Sequence, residues 1–194
     1  MFRQLVIGAV LLSLILIVVA CAGPTAAPAT AAPAPKSPAT QAPSSTQAPN
    51  SSLAPALAAK PSGPIKGTWI DSQVSGDTVS IPQSAIEKNW NVHFKVNMQG
   101  STENFMAYLL DGQIYVRANV CPPCRSIGYS LDKDVLVCNM CATKFKAKSG
   151  DGISGACVDY PKASVSYQTV GGNLVMKNSD LLTAYQNTLK QGLP

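Results

Sequence analysis

The sequence predicts a mostly β fold: a small antiparallel β-sandwich or barrel with two metal-binding knuckle loops and a short C-terminal helix. Three observations carry that prediction. Trp90, Val92, Phe94, Val96 and Met98 alternate with Asn91, His93, Lys95 and Asn97, the period-two pattern of a half-buried strand. Two apolar runs, 105–110 and 113–120, flank Asp111-Gly112, a dipeptide that closes tight hairpins. Two C-x-x-C pairs, Cys121-Pro122-Pro123-Cys124 and Cys138-Asn139-Met140-Cys141, each follow a strand-like run, with thirteen residues between them.

Two segments of a different kind precede this domain. Residues 1–21 read as a lipoprotein signal peptide: Arg3 supplies a basic start, 5–20 is apolar apart from Ser13, and Val18-Val19-Ala20-Cys21 resembles a bacterial lipobox. The lipobox pattern implies that Cys21 carries the lipid and begins the mature chain. An uncleaved anchor helix is the alternative. Both place the remainder on the outer face of the bacterial cytoplasmic membrane, tethered to it. Residues 22–65 hold ten prolines among Ala, Ser and Thr, with only Lys36 and Lys60 charged. Proline removes backbone donors, and too few large apolar side chains remain to offset chain entropy, so this is a disordered linker. Extended, it reaches on the order of 100 Å at about 3 Å per residue.

Residues 66–194 are long enough for one core. Excluding Arg3, Lys36 and Lys60 leaves twelve Lys/Arg against ten Asp/Glu, a net charge near +2. There is no dense basic stripe, which argues against nucleic acid as a partner. In order, Thr78-Val79-Ser80-Ile81 alternates as a short strand, and 82–88 forms a helical turn or loop. The strand 90–98 puts His93 among Asn and Lys on its polar face, so the one histidine reads as solvent-exposed and not as a ligand. The Asp111-Gly112 hairpin runs into Cys121. Residues 125–133 hold Gly128 and read as loop, with a turn at Asp132-Lys133-Asp134, before Val135-Leu136-Val137 runs into Cys138. Lys144, Lys146 and Lys148 alternate with Phe145 and Ala147, an outer strand face that could meet an acidic redox partner. A turn at 149–152 leads to a loop carrying Cys157. A further hairpin, 165–169 with 174–176, closes around Gly171-Gly172-Asn173. Residues 179–189 form a short helix, capped by Ser179 or Asn178, with Leu181, Leu182, Tyr185 and Leu189 on one face.

The cysteines carry the chemistry. A C-x-x-C turn brings two sulfurs within reach of one metal, and two facing turns make a four-thiolate cage of Cys121, Cys124, Cys138 and Cys141. All-sulfur ligation selects zinc, iron or an iron–sulfur cluster. Two structural disulfides are the alternative. In knuckles of this kind backbone N–H groups point at the sulfurs and a glycine commonly follows the second cysteine. Here Pro123 has no N–H, and Arg125 and Ala142 stand at the glycine positions. Fewer N–H donors and all-thiolate ligation favour the oxidised form of an iron centre, hence a low reduction potential. Cys157 is a near neighbour of the metal, an additional fifth ligand, or a buried thiol.

The order strand, Cys-Pro, loop, strand, Cys-x-x, Phe145, Gly150 and a later Gly-Ala-x-x-x-x-Pro loop resembles a Rieske domain. That resemblance implies two cluster-binding loops and a third, proline-bearing loop at 155–161 covering the cluster. Cys121 and Cys138 match the family's cysteines, while Cys124 and Cys141 stand where histidines are expected. The first pair has one residue more between its ligands than the family's C-x-H. A closer resemblance is to the C-terminal domain of FtrD-like membrane iron–sulfur proteins. It rests on Asn119-Val120-Cys121-Pro122-Pro123-Cys124, Ile127-Gly128-Tyr129-Ser130, Leu136-Val137-Cys138, Cys141, Phe145, Gly152-Ile153-Ser154-Gly155-Ala156-Cys157 and Asp180-Leu181-Leu182-Thr183-Ala184-Tyr185. It spans about 81–189 and implies a Rieske-like fold and an electron-transfer role in ferrous-iron uptake.

Three functions follow as expectations. The first is a tethered electron carrier, holding a two-iron, two-sulfur (2Fe–2S) cluster or a single iron and serving a membrane redox protein or iron permease. The second is an interaction module built around a structural zinc. The third is a thiol–disulfide oxidoreductase using Cys121-Pro122-Pro123-Cys124. That chemistry wants its first cysteine at a helix N-terminus, and 125–129 is a poor helix. No catalytic triad, H-E-x-x-H, phosphate loop or usefully spaced carboxylate pair is present, which excludes the common hydrolase and transferase designs.

Overall fold

The computed structural model describes residues 59–98 and 100–192. The expected signal peptide, Cys21 and the linker up to residue 58 lie outside the described residues. Within them no helix is long and apolar enough to cross a membrane.

The described strands begin with β1 (Ile65–Lys66), β2 (Thr68–Ile70), β3 (Gln73–Ser75) and β4 (Thr78–Pro82), then the seven-residue helix α1 (Gln83–Asn89). The long strands β5 (Asn91–Met98), β6 (Ser101–Leu110) and β7 (Gln113–Ala118) follow, and then β8 (Tyr129–Asp132), β9 (Val135–Cys138), β10 (Lys144–Lys146) and β11 (Gly152–Ser154). The C-terminal part is β12 (Gln168–Val170), β13 (Asn173–Lys177) and α2 (Asn178–Thr188). Three sheets result, ordered β2-β5-β6-β7, β1-β8-β9-β10-β11 and β12-β13-β4-β3. The pairings are antiparallel apart from β2 with β5. Both expected hairpins are present, Leu110 opposite Gln113 and Val170 opposite Asn173.

The sheet β2-β5-β6-β7 is the middle layer. On β6, Phe105, Ala107 and Leu109 enter one core with Val79, Ile81, Val92, Phe94, Leu174 and Leu181. Met106, Tyr108 and Leu110, one residue out of phase, enter a second core with Tyr129, Leu131, Leu136 and Phe145. Successive side chains on a strand point to opposite faces, so covering both faces buries every residue of 105–110. Three of the five described cysteines, Cys121, Cys138 and Cys157, belong to the second core.

Three local expectations need correction. His93 is 2% exposed, because its face of β5 is covered by β1 and β8. Asn91 on that face donates Nδ2 to the carbonyls of Ile65 and Tyr129, both at 3.0 Å. Residues 129–132 are strand, not loop: Tyr129 pairs with Cys138 and Leu131 with Leu136. Helix α2 starts at Asn178 with Lys177 as its N-cap and no side-chain capping bond, and its buried face is Leu181, Ala184 and Thr188, leaving Leu189 exposed.

Candidate metal centre

Two hairpin ends deliver the cysteines with one backbone pattern used twice. The Cys121 N–H donates to Ser126 O at 2.9 Å, and the Arg125 N–H returns to Cys121 O at 2.7 Å. At the second knuckle the Cys138 N–H donates to Thr143 O at 2.9 Å, and the Ala142 N–H returns to Cys138 O at 3.0 Å. Equal spacing within the pairs gives equal geometry. The residue after each second cysteine is left-handed, Arg125 at φ 57° and Ala142 at φ 56°. Knuckles of this kind commonly carry glycine at these positions, so with Arg125 and Ala142 there each knuckle holds a mildly strained residue.

The four sulfurs of Cys121, Cys124, Cys138 and Cys141 all lie within 4.8 Å of one another. Cys124 Sγ and Cys138 Sγ are 3.7 Å apart. Cys121 and Cys138 are buried, whereas Cys124 and Cys141 are half-buried. The site therefore has an inner and an outer pair, each pair drawn from both knuckles. No disulfide joins cysteines among the described residues.

Hydrogen bonding between the two inner thiols, together with burial, pushes the Cys121 thiol far up. The same hydrogen bond, with others from Ser126 and the backbone of Cys141 and Met140, holds Cys138 well below the usual thiol range. Burial pushes Cys124 up to about 11. Cys138 is the sulfur best served by backbone donors. At the first knuckle the residue matching Met140 is Pro123, which has no N–H to offer.

Cys157 comes from the loop after β11. Its Sγ is 3.6 Å from Cys141 Sγ, and its N–H donates to Thr143 Oγ1 at 3.2 Å, the hydroxyl that lies 3.1 Å from Cys141 Sγ. The loop can approach because residue 155 is glycine: a Cβ there would meet Thr143 Oγ1 at 2.6 Å and Thr143 Cα at 2.7 Å. Cys157 is therefore both buried and beside the four-sulfur set. Burial acts upward on its thiol, but hydrogen bonds with Cys121, Cys141, Cys124 and Thr143 together outweigh it and lower the pKa.

Two cations in the neighbourhood have no local mark in the sequence. Lys162 has no exposed surface; its Nζ donates to Val120 O at 2.8 Å and lies 4.6 Å from the Phe145 ring centre and 5.5 Å from that of Tyr129. Arg117, 2% exposed, donates to Tyr108 Oη, Lys162 O and Lys148 O. Pro161 before Lys162 signals a turn but not burial. His93 stays outside the sulfur set.

The donor set fits a soft metal. A tetrahedral ion with sulfurs at about 2.3 Å has sulfur–sulfur edges of about 3.8 Å, close to the separation of Cys124 and Cys138. No helix follows Cys124: 125–128 is turn and coil, so the dipole that activates a thiol–disulfide nucleophile is missing. Fold and site together define a small antiparallel β protein with a soft-metal centre clamped between two knuckles.

The model of one family, described as membrane iron–sulfur containing protein FtrD-like, matches residues 86–187. The chain belongs to that family. Among solved structures, a chain from the complex of reduced oxygenase and oxidized ferredoxin in carbazole 1,9a-dioxygenase is 18% identical, with a TM-score of 0.44, covering 54% of this chain and 95% of its own. The Sphingomonas yanoikuyae B1 ferredoxin is 17% identical, with a TM-score of 0.36, covering 43% and 83%. No curated protein matches the sequence.

Proposed function

We propose that this is a membrane-tethered, extracytoplasmic electron-transfer protein. Cys121, Cys124, Cys138 and Cys141 hold an iron centre, a 2Fe–2S cluster, and the domain passes single electrons to or from a membrane oxidoreductase or an iron permease in ferrous-iron uptake. One observation carries the metal reading, four sulfurs within 4.8 Å on two matched knuckles; the cluster rests on membership of an iron–sulfur family. When bound, such a centre supplies reversible one-electron chemistry. The protein's own part is to hold Cys121 and Cys138 dry against Tyr129 and Phe145 and to leave Cys124 and Cys141 at the surface. Exposed Met140, Ile127 and Trp69 border that surface and offer a partner an apolar rim. The tether is assigned to Cys21 and the linker to the residues from 22 up to β1, which takes in Ile65, expected to be the last linker residue.

The sulfur spacing favours a second reading of the metal, a single iron or zinc, because sulfurs around two irons must spread further apart. Anaerobic purification, visible absorption and analysis for iron, zinc and sulfide separate these. Visible bands that bleach on reduction, with iron and sulfide present, support the cluster. Iron without sulfide supports the single ion. A colourless zinc protein removes the redox role, and a metal-free protein with two disulfides removes the metal altogether.

A further inference from the structure

Four metal-bound thiolates carry more negative charge than one divalent ion cancels. The charge sits beside an apolar core, where it is poorly solvated. The second core contains one ammonium, and no carboxylate pairs with it among the described residues; the ion pair found there is Lys148 with Asp111, at the surface. Lys162 cannot reach water by extending its stem, because the whole residue is enclosed. Its Nζ is fixed by Val120 O, one residue before Cys121, and by the faces of Tyr129 and Phe145, whose strands β8 and β10 flank Cys138 on β9. Arg117 Nη1 holds the Lys162 carbonyl at 2.7 Å, which locks the backbone behind that stem.

We propose that Lys162 is the internal counter-cation of the sulfur centre: its buried ammonium offsets the charge of the metal–thiolate set and thereby raises its metal affinity and its reduction potential. It is a positioning residue, because it ligates nothing. Burial lowers its pKa to about 8, while the charges of Cys121, Cys138, Cys157 and Cys124 act to raise it, which is the same coupling seen from the lysine. The sign for the potential is fixed by electrostatics. Reduction adds negative charge, a nearby cation favours the more negative state, and its removal makes reduction harder.

The inference rests on the metal reading above, and its test separates the two. The full chain and its Lys162→Met variant are loaded with Zn2+ against a chromogenic chelator, and the iron-loaded forms are titrated for midpoint potential. Lys162→Met is expected to bind Zn2+ at least tenfold more weakly. At fixed potential its ratio of reduced to oxidised centre falls at least tenfold, 59 mV for one electron. The metal-free variant is expected to be no less stable to urea than the metal-free wild type, because a buried charge is gone and Val120 O still receives the Tyr129 hydroxyl at 3.3 Å. Should Lys162→Met fail to fold, Lys162→Gln retains a donor for Val120 O without the charge and carries the same expectation. Lys162→Arg is expected to stay within threefold of wild type in both measurements. A neutral variant whose Zn2+ affinity and midpoint match wild type, or one destabilised equally with and without metal, makes Lys162 a packing residue and overturns the inference. A wild-type chain that takes up no metal sinks the metal reading itself and this inference with it.

Discussion

His93 gives the most exacting test of the packing. Its ring lies under β1 and β8, with Nε2 lacking a partner and a hydrogen bond to the Tyr129 backbone. Burial lowers its pKa from 6.5 to about 4, and the hydrogen bond to Tyr129 only partly opposes the shift. Between those two values the unfolded chain binds the proton and the folded chain does not, so stability rises with pH there. Stability from this group is complete above about pH 6.5 and is lost as pH falls toward 4. A shift of about 2.5 units corresponds to about 3 kcal/mol in total, of which roughly 1.3 kcal/mol disappears between pH 7.5 and 5.5. Urea unfolding of the wild type and of His93→Gln at both pH values isolates the term, since other titrating groups contribute equally to both chains. The wild type is expected to lose roughly 1.3 kcal/mol more than the variant over that interval. Equal pH dependence in the two chains refutes the buried, neutral histidine.

Three further perturbations bear on the knuckles. Ala142→Gly removes a Cβ from an exposed left-handed position and is expected to stabilise by about 0.5–1 kcal/mol in urea melts, with Arg125→Gly behaving alike; destabilisation at both would contradict the knuckle geometry. Gly155→Ala drives a Cβ into Thr143 backbone at φ 116°, so it is expected to cost about 2 kcal/mol or more and to lower metal content together with stability. Cys138→Ser should abolish metal retention measured by elemental analysis, while Cys157→Ser should keep wild-type stoichiometry; metal loss in Cys157→Ser would make that thiol a fifth ligand.

What could be read from the sequence was local. The strand β5, the Asp111-Gly112 turn and the two C-x-x-C spacings each encode a conformation within a few residues and are present in the structure. The alternation of burial on β5 holds only from Phe94 to Met98, however, and Trp90 is the left-handed C-cap of α1 and not part of the strand. What could not be read depended on distant cover. His93 looked exposed because its neighbours Asn91 and Lys95 are polar. Ile65 and Tyr129, 26 and 38 residues from Asn91, turn that face inward. Strand β8 lacks alternation because Tyr129, Ser130 and Leu131 are all buried between neighbouring strands and the middle sheet. Lys162 had no signal at all: its burial is imposed by Val120, 42 residues away, and by Arg117, 45 residues away.

The layering explains why the centre has two unlike sides. Core packing on β6 serves both faces of the middle sheet, so β8, β9 and β10 pack on the same strand as the first core. The inner sulfurs belong to that packed part: Cys138 ends β9, and Cys121 follows β7 by three residues. The outer sulfurs ride on the turns, beside the strained positions Arg125 and Ala142 and next to exposed Met140. On the inner side water is excluded, and there the Lys162 ammonium proposed as counter-cation acts at low dielectric. On the outer side Cys124 and Cys141 are half-buried and meet solvent. A lysine buried on the inner side and an apolar rim on the outer side are the two consequences of placing a four-thiolate site at the edge, and not the middle, of the second core.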